Sequence, residues 1–260
     1  MTDDAPIRIE IDDAGTGWLR LNRPRVHNAF DDALIAEMTA ALRSLEADAA
    51  VRAVVLAAEG RSFSAGADLG WMRRMADYAF EENVADAMRL GELLKTLDRL
   101  AKPTLALVQG PAYGGGVGLV AACDVAIAAE GATFALTEVR LGLVPGVISP
   151  YVIAAIGGRQ ARRYAVTAEP FDADTALRLG LVHRVVPAAD LSAAGAEVLA
   201  ALAANGRQAM AGAKDLVRAI GDRPIDDAVI AESAERIARA RASDEARERI
   251  AAFLDARSAR

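Results

Sequence analysis

Short β-rich runs alternate with helical stretches over the first two-thirds of the chain, and from about Ser149 onward the pattern turns almost wholly helical. That alternation is the strongest constraint on the fold, because strands separated by segments of helix length require crossover connections and so a parallel sheet. Residues 7–11 and 18–22 alternate or cluster apolar side chains as strands do, with 12–17 turning between them. Asp31 and Asp32 cap a helical pattern in which Leu34, Met38, Leu42 and Leu45 recur at spacings of three and four. Residues 51–57 read as a buried strand, 60–66 as a loop, and 83–100 as a helix with Leu90, Leu94, Leu97 and Leu100 on one side. Strands follow at 104–108 and 124–129, and helices at 161–167, 173–179, 189–204, 207–220, 225–241 and 244–259. The expected fold class is α/β, a β/α core followed by a helical C-terminal region.

At 260 residues the chain could form one large α/β domain or two small ones, and it is long enough to bury a sizeable core. Hydrophobic residues at 53% and charged residues at 25% read as soluble and globular. The formal net charge of −6 argues against a duplex-binding surface, so no nucleic-acid partner is expected. The single cysteine, Cys123, lies in the apolar run 119–127; it reads as a small buried hydrophobe, and one thiol excludes an internal disulfide framework. Residues 1–4 are acidic and polar, unlike a signal peptide, and no stretch of about 18 apolar residues suits a membrane span. A cytoplasmic protein without membrane contact is expected.

Several chemistries are absent from the pattern. The two histidines, His27 and His183, stand apart from any cluster with metal-ligand spacing, so no metal site is expected. His27 reads as a turn residue and His183 as structural. Two glycine-rich turns remain: Ser62-Phe63-Ser64-Ala65-Gly66-Ala67-Asp68-Leu69 after the strand at 51–57, and Gly110-Pro111-Ala112-Tyr113-Gly114-Gly115-Gly116 after the strand at 104–108. Both stand at the C-terminal ends of expected parallel strands, where open α/β sheets bind ligands. Glycine and alanine let backbone N–H groups approach a ligand, and a helix is expected to start after Gly116. Two such N–H groups converging on a carbonyl oxygen form an oxyanion hole; the same turns also suit a phosphate or serve as plain tight connections.

Leu21-Asn22-Arg23-Pro24, Asn28-Ala29-Phe30, Phe63-Ser64-Ala65-Gly66-Ala67-Asp68-Leu69, Gly114-Gly115-Gly116, Ala122-Cys123-Asp124 and Glu138-Val139-Arg140-Leu141-Gly142 resemble, in order and spacing, the enoyl-CoA hydratase/isomerase (crotonase) family. The resemblance spans nearly the whole chain, including Ala176-Leu177-Arg178-Leu179-Gly180-Leu181-Val182 and the helical tail. It implies a ββα-repeat spiral core over residues 1–195 and a helical trimerisation region over 196–260, in a homotrimer or homohexamer. It implies Glu138 as the working carboxylate and the N–H groups of Ala67 and Gly115 as oxyanion donors. Arg25, Val26, Ala29, Ala65, Asp68 and Leu69 would follow coenzyme A, with Gly114 and Gly118 completing the substrate-binding set. No separate cofactor is implied, coenzyme A being part of the acyl-CoA substrate. Phe253 resembles a residue that packs on coenzyme A from a neighbouring subunit, while its stronger reading is helix core.

One departure matters. Hydratases of the two-glutamate type hold a water between two carboxylates, and the position of the first is Gly118, which has no side chain. One carboxylate beside an oxyanion hole suffices for proton shuttling, as in Δ3,Δ2-enoyl-CoA isomerases, and the missing glutamate also suits a non-catalytic acyl-CoA-binding protein. Against these, Asp68-Leu69-Gly70-Trp71-Met72-Arg73-Arg74-Met75, the 114–124 segment and Pro145-Gly146-Val147-Ile148-Ser149-Pro150-Tyr151 resemble bacterial methylglutaconyl-CoA hydratases and their isohexenylglutaconyl relatives. Such carboxylated substrates call for a cation near the acyl end, with Arg140, Arg73 and Arg74 as candidates. The expected reaction is hydration of a 2-enoyl-CoA such as 3-methylglutaconyl-CoA.

Overall fold

The computed structural model describes residues 5–258. The chain opens with β1 (Ile7–Ile11), β2 (Thr16–Leu21), α1 (Asp32–Ala47) and β3 (Ala53–Ala58). It continues with α2 (Leu69–Met75), α3 (Phe80–Arg99), β4 (Thr104–Val108), β5 (Ala112–Tyr113), α4 (Gly115–Ala121), β6 (Val125–Ala129) and β7 (Thr133–Ala135). The second half carries α5 (Ser149–Thr167), β8 (Phe171–Asp172), α6 (Ala173–Leu179), β9 (Arg184–Val186), α7 (Leu191–Ala203), α8 (Arg207–Ile220), α9 (Asp227–Ala242) and α10 (Asp244–Ser258).

The large sheet runs β1-β2-β3-β4-β6-β9, antiparallel only between β1 and β2. Its central strands are buried on both faces, which is why they read as unbroken apolar runs. Val54, Leu56, Ala106, Val108, Ala126 and Ala128 face the main core under α1 and α3, while Val55, Leu105, Leu107 and Ile127 face the smaller core under α7. Asp31 starts α1 by accepting the Leu34 N–H at 2.8 Å.

A second, small sheet, β5-β7-β8, lies over the C-terminal ends of these strands. β4 enters the large sheet and β5 the small one; β6 and β7 repeat the pattern, so the chain winds in ββα turns that bring the segments after β3, β4 and β7 to one place. Asn28 locks the first of these joints. Fully buried and in the left-handed region (φ 54°), it donates to the Glu59 and Ser62 carbonyls at 2.9 and 2.8 Å and accepts the Arg23 N–H at 2.8 Å.

The structure departs from the sequence pattern at several points. The region after Ser149 is interrupted by β8 and β9, whose two- and three-residue pairings leave no periodic signal. α4 begins at Gly115, not after Gly116, with Gly114 as its cap. α2 has no counterpart in the sequence pattern, because Trp71 is the single buried residue in its seven. Phe253 is 60% exposed on α10, not core. The boundary at 195/196 falls within α7, a continuous helix on the sheet. His183 is structural: its N–H donates to the Ala126 carbonyl and its Nδ1 accepts the Ala126 N–H. Cys123 is buried, with its thiol pushed up to about 12 chiefly by burial. Among the described residues no helix is long and apolar enough to cross a membrane.

Candidate active site

The first glycine turn is clamped between two others. Phe30 donates to the Gly66 carbonyl and accepts the Asp68 N–H, both at 2.7 Å, a parallel bridge around Ala67. Ser64 pairs likewise with Ala112, donating to Pro111 and accepting from Tyr113. Because backbone groups alternate between the two edges of an extended segment, the bridge to Phe30 turns the Ala67 N–H to the other edge, where Tyr113 and Gly114 lie. There the two turns touch: a Cβ on Gly66 would stand 3.1 Å from the Tyr113 oxygen and 3.8 Å from Gly114 Cα. Gly115 is the first residue of α4, where a helix leaves N–H groups without intrahelical acceptors. Among the described residues nothing accepts from the N–H of Ala67 or of Gly115.

Glu138 reaches the same place from the third segment. Pairing of β7 with β5 and the Gly114 N–H bond to the Ala135 carbonyl (2.9 Å) fix the end of β7. Beyond it, a 3-10 turn over Glu138–Leu141 turns the Glu138 carboxylate onto Gly114, with Oε1 3.1 Å from where a Gly114 Cβ would be. Oε2 is buried without a hydrogen-bond partner. Burial pushes the Glu138 carboxyl above its ordinary value, opposed only by its own N–H. A carboxyl with a raised pKa on the turn that leads into α4 has the chemistry of a group that accepts and returns protons.

Gly114 has φ 49° and ψ −117°, a conformation that excludes side chains, and a methyl there meets the carboxylate. Gly114→Ala is therefore expected to displace Glu138 and lower turnover about 100-fold. Gly212→Ala, whose Cβ meets nothing within 4 Å, should leave steady-state rates unchanged.

Gly118, one turn further along α4, is sealed. A Cβ there would lie 2.5 Å from Ile148 Cγ2 and 2.9 Å from Ile148 Cβ, with Leu94 at 3.6 Å. The space left by the missing side chain holds Ile148, which is itself buried.

The remaining expected residues are dispersed along the rim. Arg25, Val26, Ala65 and Leu69 are exposed, and Ala29 is buried beneath them. Asp68 is occupied as the cap of α2, accepting from Gly70 and Trp71, and stands 3.5 Å from Arg23. Of the three cations considered for an acyl carboxylate, Arg140 donates to the Ala168 carbonyl at 2.6 Å and Arg74 pairs with Asp32 at 2.6 Å, while Arg73 is exposed. A cluster absent from the sequence reading stands beside Ala65: Arg61 Nη2 lies 3.0 Å from His27 Nε2, and His27 Nδ1 lies 2.9 Å from Ser62 Oγ. Since guanidinium only donates, Nε2 accepts and Nδ1–H donates to Ser62. With Ala65, Pro111 and Tyr113 these residues line a concavity of about 420 Å³. His27 and Arg61 are 34 residues apart, a separation that no spacing rule detects. Among the described residues no group of three His, Cys, Asp or Glu side chains could hold a metal ion.

Residues 12–260 match the family model described as enoyl-CoA hydratase/isomerase. The chain belongs to the enoyl-CoA hydratase/isomerase family. It is 36% identical over 179 residues to a protein of Thermus thermophilus named a putative enoyl-CoA hydratase, covering 69% of this chain and 71% of the relative. It is 38% identical over 189 residues to the hydroxycinnamoyl-CoA hydratase-lyase of Pseudomonas fluorescens, covering 71% and 68% respectively. The crystal structure of an enoyl-CoA hydratase from Shewanella pealeana superposes with a TM-score of 0.94 at 44% identity, covering 96% of this chain and 94% of that one. The ββα spiral with a helical C-terminal region is thus the crotonase fold that the motifs implied.

Proposed function

We propose that the protein is an enoyl-CoA hydratase that adds water to a 2-enoyl-CoA thioester with one carboxylate, Glu138. The observation that carries this reading is the convergence of Glu138 on the turn that bears the unbonded N–H of Gly115, beside that of Ala67. The thioester oxygen would accept from both N–H groups, each worth about 3 kcal/mol as negative charge develops on it. Water would add to Cβ, giving an enolate; Glu138 would take the proton from that water and return it to Cα, so that the atoms of one water are conserved. Coenzyme A would run along Arg25, Val26, Ala29 and residues 65–69, past the His27–Arg61 concavity. The motifs at 68–75, 114–124 and 145–151 favour a branched, carboxylated substrate such as 3-methylglutaconyl-CoA. Apolar residues left exposed on the C-terminal helices, Val217, Ile230 and Phe253 among them, would be covered by further copies of the chain in a homotrimer or homohexamer.

A second reading has an observation of its own. Because Ile148 fills the space beside Gly118, no side chain from that position can hold the water, and a lone carboxylate suffices for moving a proton between α and γ carbons. That is Δ3,Δ2-enoyl-CoA isomerisation. Kinetics with 3-methylglutaconyl-CoA, crotonyl-CoA and a 3-enoyl-CoA separate the two. Loss of the conjugated double bond with 3-methylglutaconyl-CoA is the expected result. No hydration of either 2-enoyl ester, with rapid formation of 2-enoyl from 3-enoyl ester, would assign the isomerase.

A further inference from the structure

The turn that carries Glu138 is held chiefly by itself. The Arg140 N–H donates to Thr137, Gly142 to Val139 and Leu143 to Glu138, all local bonds, while Leu141 and Leu143 face solvent at 61% and 51% exposure. A bond that leaves the turn is the one from Arg140 Nη2 to the Ala168 carbonyl, 2.6 Å long. Ala168 is a firm anchor. It is 1% exposed, takes φ 50° and ends α5, its N–H bonded to the Tyr164 carbonyl. A carbonyl at a helix C-terminus carries partial negative charge and favours a cation. Three residues on, Phe171 in β8 pairs with Phe134 in β7 and stacks on its ring, so both ends of the path from β7 to Ala168 are tied together. Glu138 therefore lies between two fixed points: Ala135, bonded to Gly114, and Arg140, bonded to Ala168.

We propose that Arg140 is a positioning residue, which holds the Glu138–Leu141 turn to the end of α5 and so keeps the Glu138 carboxylate on Gly114. This rests on the reading of Glu138 as the working carboxylate, and it removes Arg140 from the cations available to a substrate carboxylate. Burial is what raises the Glu138 carboxyl above its ordinary value, so the role assigned to Arg140 is a mechanical hold on the turn and not a charge acting on the carboxyl. The distinction has a sign. Loss of a nearby cation would raise the pKa of a carboxyl further, whereas release of the turn into water lowers it towards the ordinary value.

The test uses Arg140→Met, which keeps the aliphatic stem and removes the donor, and Arg140→Lys, which can restore one bond to the carbonyl. Two readouts are taken on the full chain: kcat and KM with 3-methylglutaconyl-CoA and crotonyl-CoA, and the ionisation of Glu138 by 13C NMR of carboxyl-labelled glutamate, assigned with Glu138→Gln. Arg140→Met is expected to lower kcat at least about tenfold with KM changed less than about twofold. It should also move the Glu138 titration down, and Arg140→Lys should recover both. An unmoved titration with wild-type kcat would overturn the proposal, as would a KM rise confined to the carboxylated substrate. Wild-type turnover by Glu138→Gln would sink the reading of Glu138 instead, and the titration would still decide whether Arg140 positions it.

Discussion

Glu138→Gln is expected to lower turnover by about 10³-fold while making the folded protein more stable at neutral pH. The first effect follows if Glu138 moves the proton, as proposed; the amide keeps the side chain's shape and leaves the N–H groups of Ala67 and Gly115 in place, so KM should change little. The second follows from the burial of the carboxylate, with Oε2 out of solvent and unbonded. Burial raises the pKa of Glu138 above its ordinary 4.5, so the folded state binds the proton more tightly than the unfolded state. Stability is then greatest below the unfolded pKa and falls as pH rises through the folded one. At pH 7 the wild type bears the whole of that loss and the glutamine variant none of it. Because the residue is only half-buried, the gain is small and reads as a modestly higher melting temperature. Scanning fluorimetry should find that difference at pH 7 and its disappearance below about pH 4. Equal stability at pH 7 would mean that the carboxylate is not desolvated.

Introducing the missing glutamate, Gly118→Glu, is expected to damage the fold rather than create a two-glutamate hydratase. The new Cβ would stand 2.5 Å from Ile148 Cγ2 and 2.9 Å from Ile148 Cβ, so Ile148 or α4 must move before the carboxylate is accommodated. Overpacking of this kind costs about 1–3 kcal/mol, and a carboxyl among Ile148 and Leu94 adds a desolvation cost of similar size. Urea unfolding should give a loss of at least about 3 kcal/mol, with no gain in kcat. Ile148→Ala introduced together with Gly118→Glu should destabilise by less than the sum of the two single changes, because it removes the atoms in collision. A Gly118→Glu protein as stable as wild type would show that the site opens more readily than the packing implies. Gly118 and Ile148 thus act as a pair that leaves no room for a side chain at position 118.

Parts of this arrangement were legible in the sequence for a physical reason, and others were hidden for an equally physical one. β3, β4 and β6 are buried on both faces, so their apolar runs identify them and their order implies the crossovers. α1 announces itself through Asp31 and its buried stripe, whereas α3 begins at Phe80, before the expected Asn83, because its first turn is solvent-exposed and started by the Glu82 carboxylate on the Ala79 N–H. β5, β7 and β8 are defined by long-range pairing, with one another and, for β5, with Ser64. The glycine turns were visible as motifs, and Glu138 only through family resemblance. What brings them together, β5 lying on β7, is tertiary. Neither the seal of Ile148 over Gly118 nor the Arg140 bond to Ala168 has a local signature, since their partners are 30 and 28 residues apart. Phe253 misled for the converse reason: an aromatic residue at helical spacing suits a core, yet in the single chain it faces outward.

The chemistry proposed for the site depends on where an acyl thioester sits relative to three groups. A crystal structure of Glu138→Gln with bound crotonyl-CoA measures this directly, because the variant should hold the ester without turning it over. The thioester oxygen is expected within about 3 Å of the backbone nitrogens of both Ala67 and Gly115, with Cα facing the side-chain amide introduced at position 138. A thioester oxygen bound by other groups, or an acyl Cα turned away from that amide, would contradict it.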